Sequence, residues 1–124
     1  MSDFFYRKLL VYQQALSQVK EVYTLTKKFP AHEQYGLSDQ IRRAVISIPS
    51  NIAEGMGRTS IKEKIHFLEI ANGSLTETMC QLEIAQLLEY ISNDELNSNE
   101  EHLTEISRLL NGLKKSLEDK MNNN

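Results

Sequence analysis

At 124 residues and 14.3 kDa the chain has the size of one domain. Hydrophobic residues make up 40% and charged residues 25%, with 5 Gly and 2 Pro, which excludes collagenous, linker-like and disordered compositions. A net charge of -3 excludes a globally cationic binder of nucleic acid or anionic lipid, so any such contact needs a local basic patch.

Tyr12, Ala15, Leu16, Val19, Val22, Tyr23 and Thr26 recur at helical spacing, one apolar stripe that predicts a first helix over 9–28. Phe29-Pro30 ends it, because the residue before a proline leaves the helical region and Pro30 has no amide hydrogen. Pro30 can also start one short helical turn through Ala31 to Gln34. Tyr35-Gly36 marks a turn, and Ser38 is the expected N-cap of a second helix, 38–55, with the stripe Ile41, Val45, Ile48, Ile52 and Met56. Pro49 falls inside it. The piece beyond Pro49 is too short to stand alone, so the expectation is one helix kinked at Pro49 rather than ended there.

Ser60-Ile61-Lys62-Glu63 fits a capping box and opens a third helix, 61–90, whose stripe includes Ile65, Leu68, Ala71, Leu75, Met79 and Leu82. Ser92 to Glu95 repeats the capping chemistry. Leu96, Leu103, Ile106, Leu110, Leu113 and Leu117 then follow in heptad spacing over a fourth helix, 93–120, and Asn122 to Asn124 are expected to fray. Short connections make neighbouring helices antiparallel. The predicted fold is therefore all-α, an antiparallel up-down-up-down four-helix bundle forming a single domain over 1–124.

Residues 1–60 carry eight Lys and Arg against five Asp and Glu, a net of +3, whereas residues 61–124 carry six against twelve, a net of -6. The halves are complementary, which suits helix pairing within one molecule or between copies. Cys80 has no second thiol for a disulfide, and the first residues lack a signal-peptide core, so the cytoplasm is the expected compartment. No apolar run approaches the roughly 18 residues of a membrane span.

The least generic stretch is Ser47 through Arg58. Beside the apolar stripe runs a second one, Gln40, Ala44, Ser47, Asn51, Glu54 and Arg58, small or polar throughout. A matching stripe on the third helix is Glu63, Phe67, Ile70, Gly73, Ser74 and Glu77. Folding the hairpin about 57–60 sets residue i opposite 117 minus i, which brings Ala44 and Ser47 to Gly73 and Ser74, and Gln40 and Arg43 to Glu77. The expected polar network joins Gln40, Arg43, Ser47, Asn51, Glu54, Ser74 and Glu77, with Arg43 paired to a partly buried Glu77. A core network, a ligand cleft and a subunit contact all remain open for it.

Catalytic constellations are poor. A di-iron bundle needs two Glu-x-x-His elements, and only Glu63 with His66 supplies one, since His32 and His102 follow Phe29 and Asn99. Cys80 has no histidine in helical register, and Gly55 and Gly57 lack the strand and Gly-Lys-Ser/Thr of a phosphate loop. No cofactor, metal, membrane or small-molecule substrate is indicated, and the expectation is a non-enzyme. Phe4, Phe5 and Tyr6 stand beside Arg7 and Lys8, where docking on the bundle competes with base stacking. Together with Arg42, Arg43 and Arg58 these two cations form the candidate nucleic-acid patch.

The chain resembles the four helix bundle proteins, also called the 23S ribosomal RNA intervening-sequence or S23-like family. The resemblance is carried by Leu10-Val11-Tyr12-Gln13 with Ala15, Phe29-Pro30 with Glu33, Tyr35-Gly36-Leu37, and Gln40 through Ala44. Ser47 through Arg58, Phe67-Leu68, Ala71, Gly73-Ser74 and Glu77 complete it. It implies an antiparallel four-helix bundle that assembles into a ring-like homopentamer, with no known enzymatic activity or cofactor. A related branch, the accessory proteins of diversity-generating retroelements, binds nucleic acid and a reverse transcriptase through basic barrels, a surplus this acidic chain lacks. Two classes follow: a non-catalytic homo-oligomeric interaction scaffold, which is favoured, and a nucleic-acid-associated accessory protein. Phe67, Ile70, Cys80 and Ile84 give the third helix more apolar surface than one bundle face covers, which favours self-association.

Overall fold

Local capping chemistry sets several of the helix boundaries. The computed structural model describes residues 4–123, so Met1 to Asp3 and the last asparagine of the tail lie outside the described residues. Helix α1 spans Leu10–Thr26, α2 Leu37–Met56, α3 Ile61–Leu87 and α4 Asn93–Asn122, with short 3-10 turns at Phe5–Lys8 and Ala31–Glu33. The second turn is the one Pro30 was expected to start. Among the described residues no strand forms.

Ser60 and Ser92 both cap their helices, but only the second completes the expected box. Ser60 Oγ accepts from the Glu63 amide at 3.0 Å, and Ser92 and Glu95 close a full reciprocal box. Ser38 is not an N-cap: it is buried inside α2, and the Leu37 amide instead donates to Glu33 Oε1 at 3.1 Å. α2 runs through Pro49 without ending, as its shared apolar stripe requires. α3 stops earlier than expected, because the amides of Glu89 and Tyr90 donate back to the carbonyls of Gln86 and Ala85 while Glu89 takes a φ of 66°. That is a Schellman-type stop built without its usual glycine. Glu89→Gly is therefore expected to raise stability by about 1 kcal/mol, read as a higher urea midpoint at unchanged slope.

Hydrogen bonds across the seams run antiparallel. Ser47 of α2 meets Ser74 of α3, Asn72 and Glu69 of α3 meet Ser107 and Lys114 of α4, and Gln14 of α1 and Lys28 just past its end meet His102 and Glu95 of α4. One apolar cluster draws on all four helices, including Val22, Ile41, Ile48, Leu68, Leu82, Leu103 and Ile106. α1 buries Val11, Ala15, Gln18, Val22, Leu25 and Thr26, so Ala15, Val22 and Thr26 of the predicted stripe face the core whereas Leu16 is 46% exposed.

Candidate functional site

The polar stripes of α2 and α3 do meet. Ser74 Oγ–H donates to Ser47 Oγ at 2.8 Å, and Asn51 Nδ2 donates to the same oxygen and to the Ser47 carbonyl, each at 2.8 Å. Thr78 Oγ1 donates to the Ser74 carbonyl at 2.8 Å, which extends the chain of hydrogen bonds into the core. Small side chains at Ser47 and Ser74 let the two helices approach closely enough for a direct hydroxyl contact.

The outer members of the expected network do not join it. Arg43 donates to Asp39 on its own helix at 2.9 Å, whereas the exposed Glu77 accepts from Gln81 at 3.4 Å, so the predicted Arg43–Glu77 pair does not form. Gln40 is exposed, and Glu77 accepts from Gln81 rather than from Gln40. Ser47 against Ser74, and Gly55 against Phe67, set residue i opposite about 121 minus i, because α3 begins about one helical turn beyond the end of α2. That register puts Gln40 opposite Gln81 rather than Glu77, but it leaves Arg43 almost opposite Glu77; Arg43 and Glu77 miss each other because both are exposed, off the seam, and each bonds a residue of its own helix. Glu54 pairs instead with Arg58 at 2.7 Å, and the Arg58 guanidinium lies 4.8 Å over the Phe67 ring.

The five residues of the candidate nucleic-acid patch fall into two groups. Arg42 and Arg43 lie near the start of α2, Arg58 lies just past its end, and 15 residues of helix separate Arg43 from Arg58 by about 22 Å. Arg7 and Lys8 belong to the Arg58 end, where Phe4, Phe5 and Tyr6 share a cleft of about 720 Å³ with Ser50, Glu54 and Arg58. Arg42 is held by Thr26 Oγ1 at 2.9 Å and by the Tyr23 ring, and Arg7 stacks on Phe4. Of the terminal aromatics Tyr6 packs edge-on to Tyr12 of α1 at 4.9 Å, whereas Phe4 and Phe5 are more than half exposed.

Three polar clusters were not anticipated. Fully buried Gln18 donates to Asn99 Oδ1 at 2.8 Å; His102 faces Glu21 Oε2 at 3.0 Å and Gln14 Oε1 at 2.9 Å; Tyr90 O–H donates to Glu33 Oε2 at 2.8 Å. Asn99 could have been found, since it fills the heptad position between Leu96 and Leu103. Tyr90 and Glu33, 57 residues apart, carry no local signal. The Leu37 amide and then the Tyr90 hydroxyl hold the Glu33 carboxyl below the ordinary range, and the bond to Glu33 raises the Tyr90 hydroxyl. Lys28 does the same to Glu95 ahead of the Ser92 amide.

A carboxylate lowered by folding stabilises above its ordinary range, and that contribution is lost as pH falls through its folded value. Glu33→Gln is accordingly expected to flatten the acid limb of the stability–pH curve; an unchanged limb would show that the Glu33 bonds contribute nothing there.

Among the described residues no group of three or more His, Cys, Asp and Glu is placed to hold a metal ion. No described helix is long and apolar enough to cross a membrane.

Residues 7–112 match the family described as 23S rRNA-intervening sequence protein. Among solved structures, the fold is similar to that of a protein with unknown function from the S23 ribosomal protein family of Bacteroides thetaiotaomicron. Identity is 30% and the TM-score 0.79, with 86% of this chain and 99% of that chain covered. No curated protein matches the chain.

Proposed function

The chain belongs to the 23S rRNA-intervening sequence protein family, and we propose that it acts as a non-catalytic, self-associating helical scaffold in the cytoplasm. One observation carries the reading: α3 is apolar on two sides. Its inner side builds the core through Leu68, Leu75 and Leu82, while Ile70, Ile84 and Leu87 stand exposed on the other. Exposed apolar surface of this kind favours association at roughly 25 cal/mol per Å² buried, before association entropy is subtracted.

Light scattering at micromolar concentration and moderate salt tests it. A particle of several times 14.3 kDa is expected; a single-chain mass would end the reading. RNA binding across a salt series separates the alternative, a nucleic-acid-associated accessory protein. The divided basic groups give that reading less support, because counterion release rewards many cations on one phosphate track. An assembly that ignores RNA at low salt removes the alternative.

A further inference from the structure

We propose that the groove between α3 and α4 is a docking surface for a basic amphipathic helix of a different protein. This surface is independent of self-association, so either can fail alone. Its frame is the α3–α4 seam. Lys114 Nζ donates to Glu69 Oε2 at 3.4 Å and Ser107 Oγ–H to Asn72 Oδ1 at 3.3 Å, two rungs that set residue i of α3 opposite 183 and 179 minus i of α4. Further along, the same register brings Glu83 level with Glu100 or within a turn of it. The first two rungs join the helices through complementary groups, whereas this one sets a carboxylate against a carboxylate.

Both carboxylates line one groove of about 570 Å³. Its floor is Leu75, Leu103 and the half-buried Met79, whose flexible thioether can repack against a partner. Glu83 and Glu100 stand exposed at one end, and among the described residues neither has a hydrogen bond or ion pair. Arg108, the cation on the lining, is already bonded to both oxygens of Glu105. The free charge of the groove is therefore negative.

These features define the occupant. An apolar floor between two packed helices receives the anchors of a third at intervals of three and four, and α3 rises about 12 Å from Leu75 to Glu83, enough to seat two turns. Two unpaired carboxylates at the rim call for Lys or Arg beside those anchors, and an acidic helix would meet like charge. The four helices of this chain each give their main apolar stripe to the shared core, so none of them is free to lie in the groove. The docked helix therefore comes from another protein.

Two synthetic amphipathic helices of equal length test it, both with leucine at a and d, one with alanine and lysine elsewhere and the other with alanine and glutamate. Each is titrated into the full-length protein and read by methionine methyl NMR. The lysine peptide should shift the Met79 signal and leave Met56 in place; the glutamate peptide should shift neither. Reversing both rim charges, Glu83→Lys with Glu100→Lys, should weaken the lysine peptide by about tenfold or more, with helicity retained because both side chains are exposed. Equal binding of the two peptides would reduce the groove to a charge-blind apolar patch and overturn the proposal, as would a Met79 signal that never moves. Binding that survives the double reversal would place the cationic peptide elsewhere on the acidic half and overturn it too. A Met79 signal that responds only once light scattering shows the particle dissociated would make a second copy the occupant in place of another protein. A single-chain mass with the Met79 shift intact would instead end self-association and leave this docking surface standing.

Discussion

Gly55→Ala is expected to destabilise the chain by about 1–3 kcal/mol, although alanine is the better helix former. A Cβ at Gly55 would lie 2.8 Å from Phe67 Cβ and 3.2 Å from the Lys64 carbonyl oxygen. Neither neighbour is the free end of a side chain: one is fixed to the α3 backbone and the other is backbone. The helices must separate to make room. Separation would stretch the Ser47–Ser74 hydrogen bond and the Lys64 Nζ bond to the Met56 carbonyl, now 2.8 and 3.0 Å. Gly112→Ala is the control, because nothing lies within 4 Å of a Cβ there and a helix interior favours alanine by roughly 0.5–1 kcal/mol. Urea unfolding at one protein concentration measures both, since self-association would make midpoints concentration-dependent. A neutral Gly55→Ala would mean that the α2–α3 seam is looser than these distances.

The same seam shows what the sequence could and could not convey. Ser60 with Glu63 and Ser92 with Glu95 were legible because both partners sit three residues apart, within one local motif. The Ser47–Ser74 contact was legible because small residues at helical spacing occur on both helices. The 117-minus-i arithmetic assumed that α3 starts level with the end of α2, and one turn of overhang moves Gln40 away from Glu77; Arg43 stays nearly level with Glu77 but does not pair with it, because both are exposed, off the seam, and bond within their own helices. Ser38 failed for a different reason: the acceptor for the first turn of α2 came from Glu33, outside the helix. Glu89 in the left-handed region has no glycine to announce it. The basic residues read as a patch along the sequence, and the length of α2 divides them.

Asn99→Leu is expected to cost about 1–3 kcal/mol, whereas Gln18→Met should be close to neutral or stabilising. The two residues share one hydrogen bond, yet their situations are unequal. Gln18 is fully buried, its Nε2 donates to Asn99 Oδ1, and its Oε1 has no hydrogen-bond partner. Removing Asn99 would leave both ends of the Gln18 amide unsatisfied in the core. Asn99 stands nearer water: it borders the α1–α4 groove with Ser17, Thr24 and Ser98, and its Nδ2 keeps the Glu95 carbonyl at 2.8 Å whatever occupies position 18. Gln18→Met removes the orphaned oxygen and fills similar volume with an apolar chain. The double variant Gln18→Met with Asn99→Leu should therefore recover most of what Asn99→Leu alone loses, a coupling of about 1 kcal/mol or more across a double-mutant cycle. Equal losses from the two single variants, with simple additivity in the double, would show that Gln18 Oε1 is satisfied in solution and that the pair contributes as an ordinary buried hydrogen bond. Recovery in the double variant would instead assign the pair to alignment of α1 with α4, the role a lone asparagine plays at a core position of a coiled coil.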